Sequence, residues 1–343
     1  MLRTGTIADS DGHGLVPRSP KEPGRLGRRW LGMMGHYSTI APFVLRRIFP
    51  VVQPPTAPWA VTWEDRELGP VRLTGRLRAL DGDELLVVVH GLGGSVQSGY
   101  MPLALAAAER AGMSCILLNV RGADRSGEDI SHAGLTEDLQ AVFQSPLLAA
   151  YRRIYLLGYS LGGHLALRYA TEAPDPRLRG VVAVSSPLDL DAAAQAFDRS
   201  RWSVYRHHVL ASLQAIYEAR YRRRGGPLTP EEVRRIRRIR EWDERVVAER
   251  FGFRGADDYY RRVSVSGCLG ALQRRALYVG THGDPMVPRD TVVGALEGAA
   301  SCLDVRWATW GGHMGFAKDF DLGLPGPRGL EHQVLAWLRA ETG

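Results

Sequence analysis

The sequence has few cysteines, no long apolar run and no recognisable set of metal ligands. The cysteines are far apart and odd in number, which argues against a disulfide framework and favours a reducing cytoplasm. No run approaches the ~20 apolar residues of a membrane-spanning helix, and residues 1–20 lack the apolar core of a signal peptide. Zinc-ligand spacing and the aromatic signature of RNA-binding domains are also missing, so we expect neither a metal nor a nucleic-acid partner.

The charge balance is basic. A formal net charge of +7, mostly from arginine, favours contact with anionic surfaces or acidic ligands but does not by itself indicate nucleic-acid binding. The apolar fraction of 45% is ordinary for a soluble protein, and 343 residues suit one large α/β domain with an insertion.

Short apolar runs alternate with helical patterns along most of the chain. The runs that predict buried strands lie at 85–90, 115–120, 154–157, 180–184, 276–279 and 303–307. This alternation favours a mostly parallel central sheet with helices on both faces. Alternating apolar and polar residues at 60–63 and 71–77 predict an antiparallel hairpin before it.

One long interruption separates the strand at 180–184 from the next. We expect residues 189–266 to form a helical cap insertion over the site, with 29–188 and 267–343 as the core and 1–28 as a flexible tail.

Within the cap, Thr229-Pro230-Glu231-Glu232 combines a capping box with proline at the first helical position. The pattern predicts a helix that continues through Val233, Ile236 and Ile239. Its many arginines are interpreted as a solvated, salt-bridged face, with nucleic acid or anionic lipid as the alternative contact.

Residues 28–50 mix basic and bulky apolar side chains. One interpretation is a membrane-surface anchor, because aromatic and basic residues interleave there. We favour an arm that packs on the main domain and leave a weak peripheral membrane contact open. Gly32, Gly35, Ser38 and Pro42 are expected to interrupt any continuous amphipathic helix.

The stretch from Gly158 to Gly162 reads G-Y-S-L-G, between a buried strand and a helical pattern. A serine on such a tight turn is strained, so the residues two before and two after it must be small, and Gly158 and Gly162 meet that requirement. Ser160 is therefore the candidate nucleophile. The amide of Leu161, at the start of the helix, is a candidate oxyanion donor.

A serine hydroxyl is nearly inert at neutral pH and needs a base that a carboxylate orients. Asp284 follows the penultimate predicted strand and His313 follows the last one. The order Ser160, Asp284, His313 is that of an α/β-hydrolase triad. We therefore predict His313 as base and Asp284 as its carboxylate partner, with no metal or organic cofactor.

The loop His90-Gly91-Leu92-Gly93-Gly94 follows the first buried strand, and its Leu92 amide is the second candidate oxyanion donor. His90 and Gly91 are predicted to support that loop, with His90 as a structural histidine. His164 is expected to pack near the site, and His282 remains a weaker alternative for the site.

These motifs together resemble the YheT-like, or embryogenesis-associated, branch of the α/β-hydrolases, from about Trp30 to the C-terminus. The matching stretches are 35–40, 90–92, 119–122, 134–138, 158–163, 240–243, 259–260 and 311–316. The resemblance implies an α/β-hydrolase fold and esterase or lipase-like activity, with the triad on Ser160, Asp284 and His313. Gly283 departs from the family pattern, where a second acidic residue usually stands beside the catalytic one.

The function expected from the sequence is hydrolysis of lipid-like or small acyl esters through an acyl-enzyme. Acyl transfer by the same triad is one alternative, and a non-catalytic binding protein on the hydrolase fold is another. A third is an arginine-mediated binder of nucleic acid or anionic membrane. The cap determines which acyl chain and alcohol fit, so the sequence leaves the substrate open, and it leaves the oligomeric state open as well.

Overall fold

The computed structural model describes residues 25–49, 51–172 and 174–340. Its eight main strands are β1 Ala57–Asp65, β2 Gly69–Arg78, β3 Glu84–Val89, β4 Ser114–Leu118, β5 Arg153–Tyr159, β6 Leu178–Val184, β7 Arg275–Thr281 and β8 Leu303–Ala308. They form one sheet in the order β1-β2-β4-β3-β5-β6-β7-β8. The β1-β2 and β2-β4 pairs are antiparallel, and the other pairs are parallel. The predicted mostly parallel sheet with a leading hairpin is confirmed.

Helices pack on both faces of this sheet. The helices are α1 Arg25–Ile48, α2 Met101–Arg110, α3 Thr136–Phe143, α4 Leu161–Thr171, α5 Leu190–Arg199, α6 Ser203–Arg224, α7 Pro230–Arg234, α8 Ile239–Trp242, α9 Glu249–Phe251, α10 Ala256–Val263, α11 Asp290–Val293 and α12 Leu330–Arg339. In β3, Val87 packs in the cluster formed with α3 and α4, whereas Val88 packs in the cluster formed with α2 and α12. A strand buried on both faces must be apolar throughout, which explains the continuous run in the sequence.

Residues 189–266, all of which the structure describes, form helices α5 to α10 and contain no strand. A π-helical turn, Asp243–Ala248, joins α8 to α9. These helices share an apolar cluster of their own, which includes Leu213 of α6, Trp242 of α8 and Tyr259 of α10. The insertion therefore has its own small core above the strand ends.

The predicted helix in the cap begins correctly at Pro230, with the capping box formed by Thr229 and Glu232. Its predicted continuation to Ile239 is wrong, because α7 ends at Arg234. The carboxylate of Asp198 accepts the backbone N–H groups of Ile239 (2.8 Å) and Arg240 (3.1 Å) and starts α8 there. A capping contact from a distant helix thus divides a segment whose local pattern reads as one helix.

The N-terminal segment also differs from the prediction, because α1 is one continuous helix and begins inside the expected tail. The rest of that tail, residues 1–24, lies outside the described residues. Pro42 leaves the carbonyl of Ser38 without its helical N–H partner, and a Cβ on Gly315 would lie 1.8 Å from that oxygen. Of the expected helix breakers, Gly35 and Ser38 lie where the backbone of α1 closely contacts the core, whereas a Cβ on Gly32 would meet open space.

Candidate active site

Ser160 lies on the turn between β5 and α4 with φ 51° and ψ −123°, a conformation that a non-glycine residue adopts only under strain. A Cβ on Gly158 would lie 2.2 Å from the carbonyl oxygen of Gly162. A Cβ on Gly162 would lie 2.4 Å from the carbonyl oxygen of His90. Both positions require glycine because the turn packs against itself and against the end of β3.

Both predicted oxyanion donors lie beside this serine. Leu161 is the first residue of α4, so its N–H has no partner within the helix. Gly91 contacts the serine closely, because a Cβ there would lie 2.9 Å from Ser160 Cβ. Leu92 is the next residue of that loop. Leu92 and Leu161 line one cavity of about 50 Å³ under the cap.

The imidazole of His90 is hydrogen-bonded to the backbone on both of its nitrogens. The backbone N–H of Val120 donates to Nε2 at 3.2 Å, so the ring proton is on Nδ1, which donates to the carbonyl of Gly91 at 2.8 Å. Burial lowers the pKa of His90 to about 4 and keeps the ring neutral. Burial also lowers the pKa of His164 to about 4, and its ring contacts the carbonyls of Pro187 and Val263.

Asp284 and His313 are hydrogen-bonded to each other. His313 lies between two short strands, β9 Gly311–Gly312 and β10 Gly315–Phe316, and its Nδ1 is 3.0 Å from Oδ2 of Asp284. Oδ1 of Asp284 accepts the backbone N–H groups of Met286 (2.8 Å) and Val287 (2.9 Å). This carboxylate holds the ring proton on Nδ1, so Nε2 is left as the basic nitrogen.

His282, the weaker alternative, is directed elsewhere. Its ring centroid is 6.0 Å from that of Trp307 on β8. The imidazole that the Asp284 carboxylate orients is therefore that of His313.

A family model described as alpha/beta hydrolase fold matches residues 84–318, which run from β3 past β10. The chain belongs to the α/β-hydrolases. The hydrolase is 32% identical over 246 residues to YheT of Escherichia coli, a protein named as a candidate esterase, and the match covers 67% of this chain and 70% of YheT. It is 27% identical to the embryogenesis-associated protein EMB8 of Picea glauca, over 78% of this chain and 60% of EMB8. The resemblance to the YheT-like branch is confirmed.

A more distant relative of the hydrolase is the monoacylglycerol lipase of Saccharomyces cerevisiae, at 23% identity over 71% of this chain and 57% of the lipase. The chain thus spans less than two thirds of the spruce and yeast relatives. Among solved structures, an esterase of Pyrococcus furiosus aligns with a TM-score of 0.50 and 16% identity, over 77% of this chain and 90% of that chain. That likeness concerns the fold alone.

The sequence analysis of the hydrolase missed Thr39 of α1. This residue contacts the short hairpin of β9 and β10 that carries His313, here called the His313 hairpin. Its Oγ1 accepts the backbone N–H of His313 at 2.8 Å and donates to the carbonyl of Gly35 at 2.7 Å. A Cβ on Gly312 would lie 2.3 Å from the same Oγ1. The available signal was Gly35-His36-Tyr37-Ser38-Thr39 itself, a stretch that matched the family although it lies far from the triad in sequence.

The departure at Gly283 has a physical reason in this hydrolase. A Cβ on Gly283 would lie 2.6 Å from the carbonyl oxygen of Leu31, and a Cβ on Gly35 would lie 1.7 Å from the carbonyl oxygen of Gly283. Helix α1 and the Asp284 loop therefore meet backbone to backbone. A side chain at position 283 requires α1 to move away.

Replacing Thr39 by valine is expected to lower kcat about tenfold and leave KM nearly unchanged. Valine keeps the shape but leaves the N–H of His313 without its acceptor, at a cost of about 1–3 kcal/mol that a shift of the hairpin relieves. Steady-state kinetics beside Thr39→Ser, which keeps the hydroxyl, measure the effect, and Thr39→Ser should restore kcat. A lower melting temperature with unchanged kcat would instead assign Thr39 a structural role only.

A second feature missed from sequence joins the cap to the hydrolase core. Asp129 is fully buried and pairs with Arg220 (3.1 Å) and Arg250 (2.7 Å), both in the cap. Arg121, also buried, pairs with Asp138 (2.6 Å) and Asp65 (2.8 Å). Buried charges of this kind require partners. The two Asp129 pairs connect the cap to the core, whereas the Arg121 pairs lie within the core.

Two arginines of the arginine-rich segment are paired with carboxylates. Arg234 contacts Glu218 (3.1 Å) and Glu231 (3.2 Å), and Arg240 contacts Asp191 (2.6 Å). The side chain of Arg237 instead donates to the backbone carbonyls of Arg234 and Ile236.

Within the three described ranges, no group of three or more His, Cys, Asp or Glu side chains is arranged to hold a metal ion. No helix of those ranges combines the length and the hydropathy that crossing a membrane would require.

Proposed function

We propose that this hydrolase cleaves carboxylic esters with Ser160 as nucleophile. The observation that carries the proposal is the hydrogen-bonded pair of His313 and Asp284, which follows strands of the same sheet as the strained Ser160. The named relatives add support, since one is named as a candidate esterase and another as a monoacylglycerol lipase. A carboxylic ester is the substrate class common to those names, and we propose a lipid-like or small ester as the substrate.

In the proposed reaction, Oγ of Ser160 attacks the ester carbonyl and Nε2 of His313 accepts the hydroxyl proton. The N–H groups of Leu92 and Leu161 donate to the oxyanion, and loss of one such donor typically costs about 3 kcal/mol of transition-state stabilisation. The alcohol leaves with the proton from His313. Water then gives its proton to His313 and hydrolyses the acyl-enzyme, which restores Ser160.

The cavity beside the two donors suits the acyl chain. Its lining is mostly apolar and includes Leu213 and Ile216 of α6 and Trp242 of α8. Because it adjoins both Leu92 and Leu161, a carbonyl held by their amides would direct its acyl group under the cap.

An ester panel from short to long acyl chains, run on the wild-type protein, tests this proposal. Hydrolysis of one or more members, together with covalent labelling of Ser160 by a fluorophosphonate, is the expected result. Folded protein that hydrolyses no member of the panel and resists the label would contradict the proposal.

Leu213→Ala is expected to shift the preference toward longer acyl chains. The substitution enlarges the cavity by removing three carbons from its wall, and each methylene accommodated in an apolar pocket is worth about 1–3 kcal/mol. The ratio of kcat/KM for a long ester to that for a short one should rise about tenfold. Leu210→Ala is the matched control, because Leu210 is buried on the same helix but does not line the cavity; equal ratios in both variants would move the acyl site elsewhere.

A further inference from the structure

Helix α1 has two faces with different surroundings. Its inner face, with Gly35, Ser38 and Thr39, meets the Asp284 loop and the His313 hairpin backbone to backbone. The outer face carries large apolar side chains that are 43 to 66% exposed: Trp30, Met33, Tyr37, Val44 and Ile48. At about 100° per residue these five positions fall on one side of the helix, opposite Thr39. Phe43 and Leu45, 52% and 53% exposed, lie to either side of them. The inner contacts therefore fix α1 in an orientation that turns this apolar stripe outward.

The apolar surface continues past the helix and onto the cap. Phe49 and Val52 follow α1 and are 71% and 91% exposed. Trp202 and Val204, at the start of α6, are about half exposed, and the Trp202 ring centroid is 4.1 Å from that of His36 on α1. Single exposed apolar residues are common, but this many large exposed apolar side chains on one helix and its neighbouring segments are typical of a surface that binds a partner.

The charge of α1 indicates what binds there. Its 24 residues contain five arginines and no acidic residue. By the same rotation, positions 29 and 47 fall about 70° from the centre of the apolar stripe, whereas positions 28 and 46 fall on the side of Thr39. The whole chain carries a net charge of +7. An apolar stripe with tryptophan and tyrosine, on a helix that contains arginine and no acidic residue, is complementary to the headgroup region of an anionic bilayer.

We propose that the outer face of α1 docks on an anionic lipid surface. The helix lies in the plane of the interface, its apolar stripe enters the headgroup region, and the basic positions 29 and 47 fall beside the stripe. This docking is independent of the proposed ester cleavage. Because a helix is about 10 Å thick, it also brings the His313 hairpin close to the lipid surface, where esters of lipids are present.

Vesicle flotation of the full chain tests the docking. The probes are phosphatidylcholine vesicles with and without phosphatidylglycerol, at low and at high salt. Wild-type protein should float with the anionic vesicles, and high salt should weaken the binding because it screens the arginines. The variant Met33→Gln/Tyr37→Gln/Val44→Gln should bind them at least tenfold more weakly.

Leu147→Gln is the matched control and should bind like wild type. Leu147 is exposed to a similar extent, 61%, but lies before β5 at the opposite end of the strands from Ser160. Circular dichroism and hydrolysis of a soluble short-chain ester should be the same for wild type and both variants. If no protein cleaves the ester, the proposed reaction fails while flotation still decides the docking.

Three outcomes would overturn the proposal. Wild-type protein that does not float with anionic vesicles would rule out an anionic lipid surface as the occupant of this face. Equal binding by wild type and the triple variant would place the lipid contact elsewhere. A wild-type dimer in sedimentation equilibrium that the triple variant converts to a monomer, without vesicle binding by either, would assign the outer face to a second copy of the chain.

Discussion

Ser160→Ala should lower kcat for ester hydrolysis by about 10⁴- to 10⁶-fold, because no other group would form the acyl-enzyme. The methyl group of alanine fits the space of the serine side chain, and the turn at φ 51° is held by Gly158 and Gly162 rather than by the hydroxyl. Binding of substrate should therefore change little. The residual rate would come from the oxyanion donors and from the cavity.

Ser185→Ala is the matched control for this loss. Ser185 follows the adjacent strand β6, is buried and has a similar positive φ of 49°, so the two substitutions make the same chemical change in similar backbone. We expect Ser185→Ala to change kcat less than tenfold. Full activity in Ser160→Ala, or loss of fluorophosphonate labelling only in Ser185→Ala, would overturn the assignment of the nucleophile.

The sheet could be predicted from sequence because a strand that is buried on both faces forms a continuous apolar run. Residues 85–89 pack alternately into the two helical layers, so every position in β3 is buried and the run stands out from its surroundings. The hairpin β1-β2 could also be predicted, because alternation of apolar and polar residues is typical of a strand that is buried on one face only.

Helix α1 was not predicted because the meaning of its glycines depends on tertiary contacts. In isolation, Gly35 and Pro42 disfavour a helix. In the fold, Gly35 permits α1 to contact the backbone of Gly283. Pro42 lies four residues after Ser38, whose carbonyl contacts Gly315. Local propensity was overridden by packing that involves residues more than 240 positions away.

In the candidate site, too, residues with a local sequence signal could be predicted, whereas contacts between distant positions could not. Ser160, Asp284 and His313 could be named from sequence, since each follows a readable strand and the three occur in a known order. Thr39 could not be assigned a partner, because its contact with His313 spans 274 positions. Asp129 was missed for a similar reason, since nothing near it in sequence predicts that two cap arginines reach it.

Asp284→Asn is expected to lower kcat about 10⁴-fold and to leave the fold intact. The backbone N–H groups of Met286 and Val287 both donate to Oδ1, so the asparagine side chain must place its carbonyl oxygen there and its NH₂ group toward His313. That NH₂ group donates to Nδ1 and forces the ring proton onto Nε2. The imidazole then has no free nitrogen to accept the proton of Ser160.

Kinetics at constant pH, with the melting temperature as a check of folding, measure the loss of kcat in Asp284→Asn. Asp290→Asn, the same change of charge at an exposed position six residues further on, should keep wild-type kcat, and similar kcat values for the two variants would rule out Asp284 as the partner of the base.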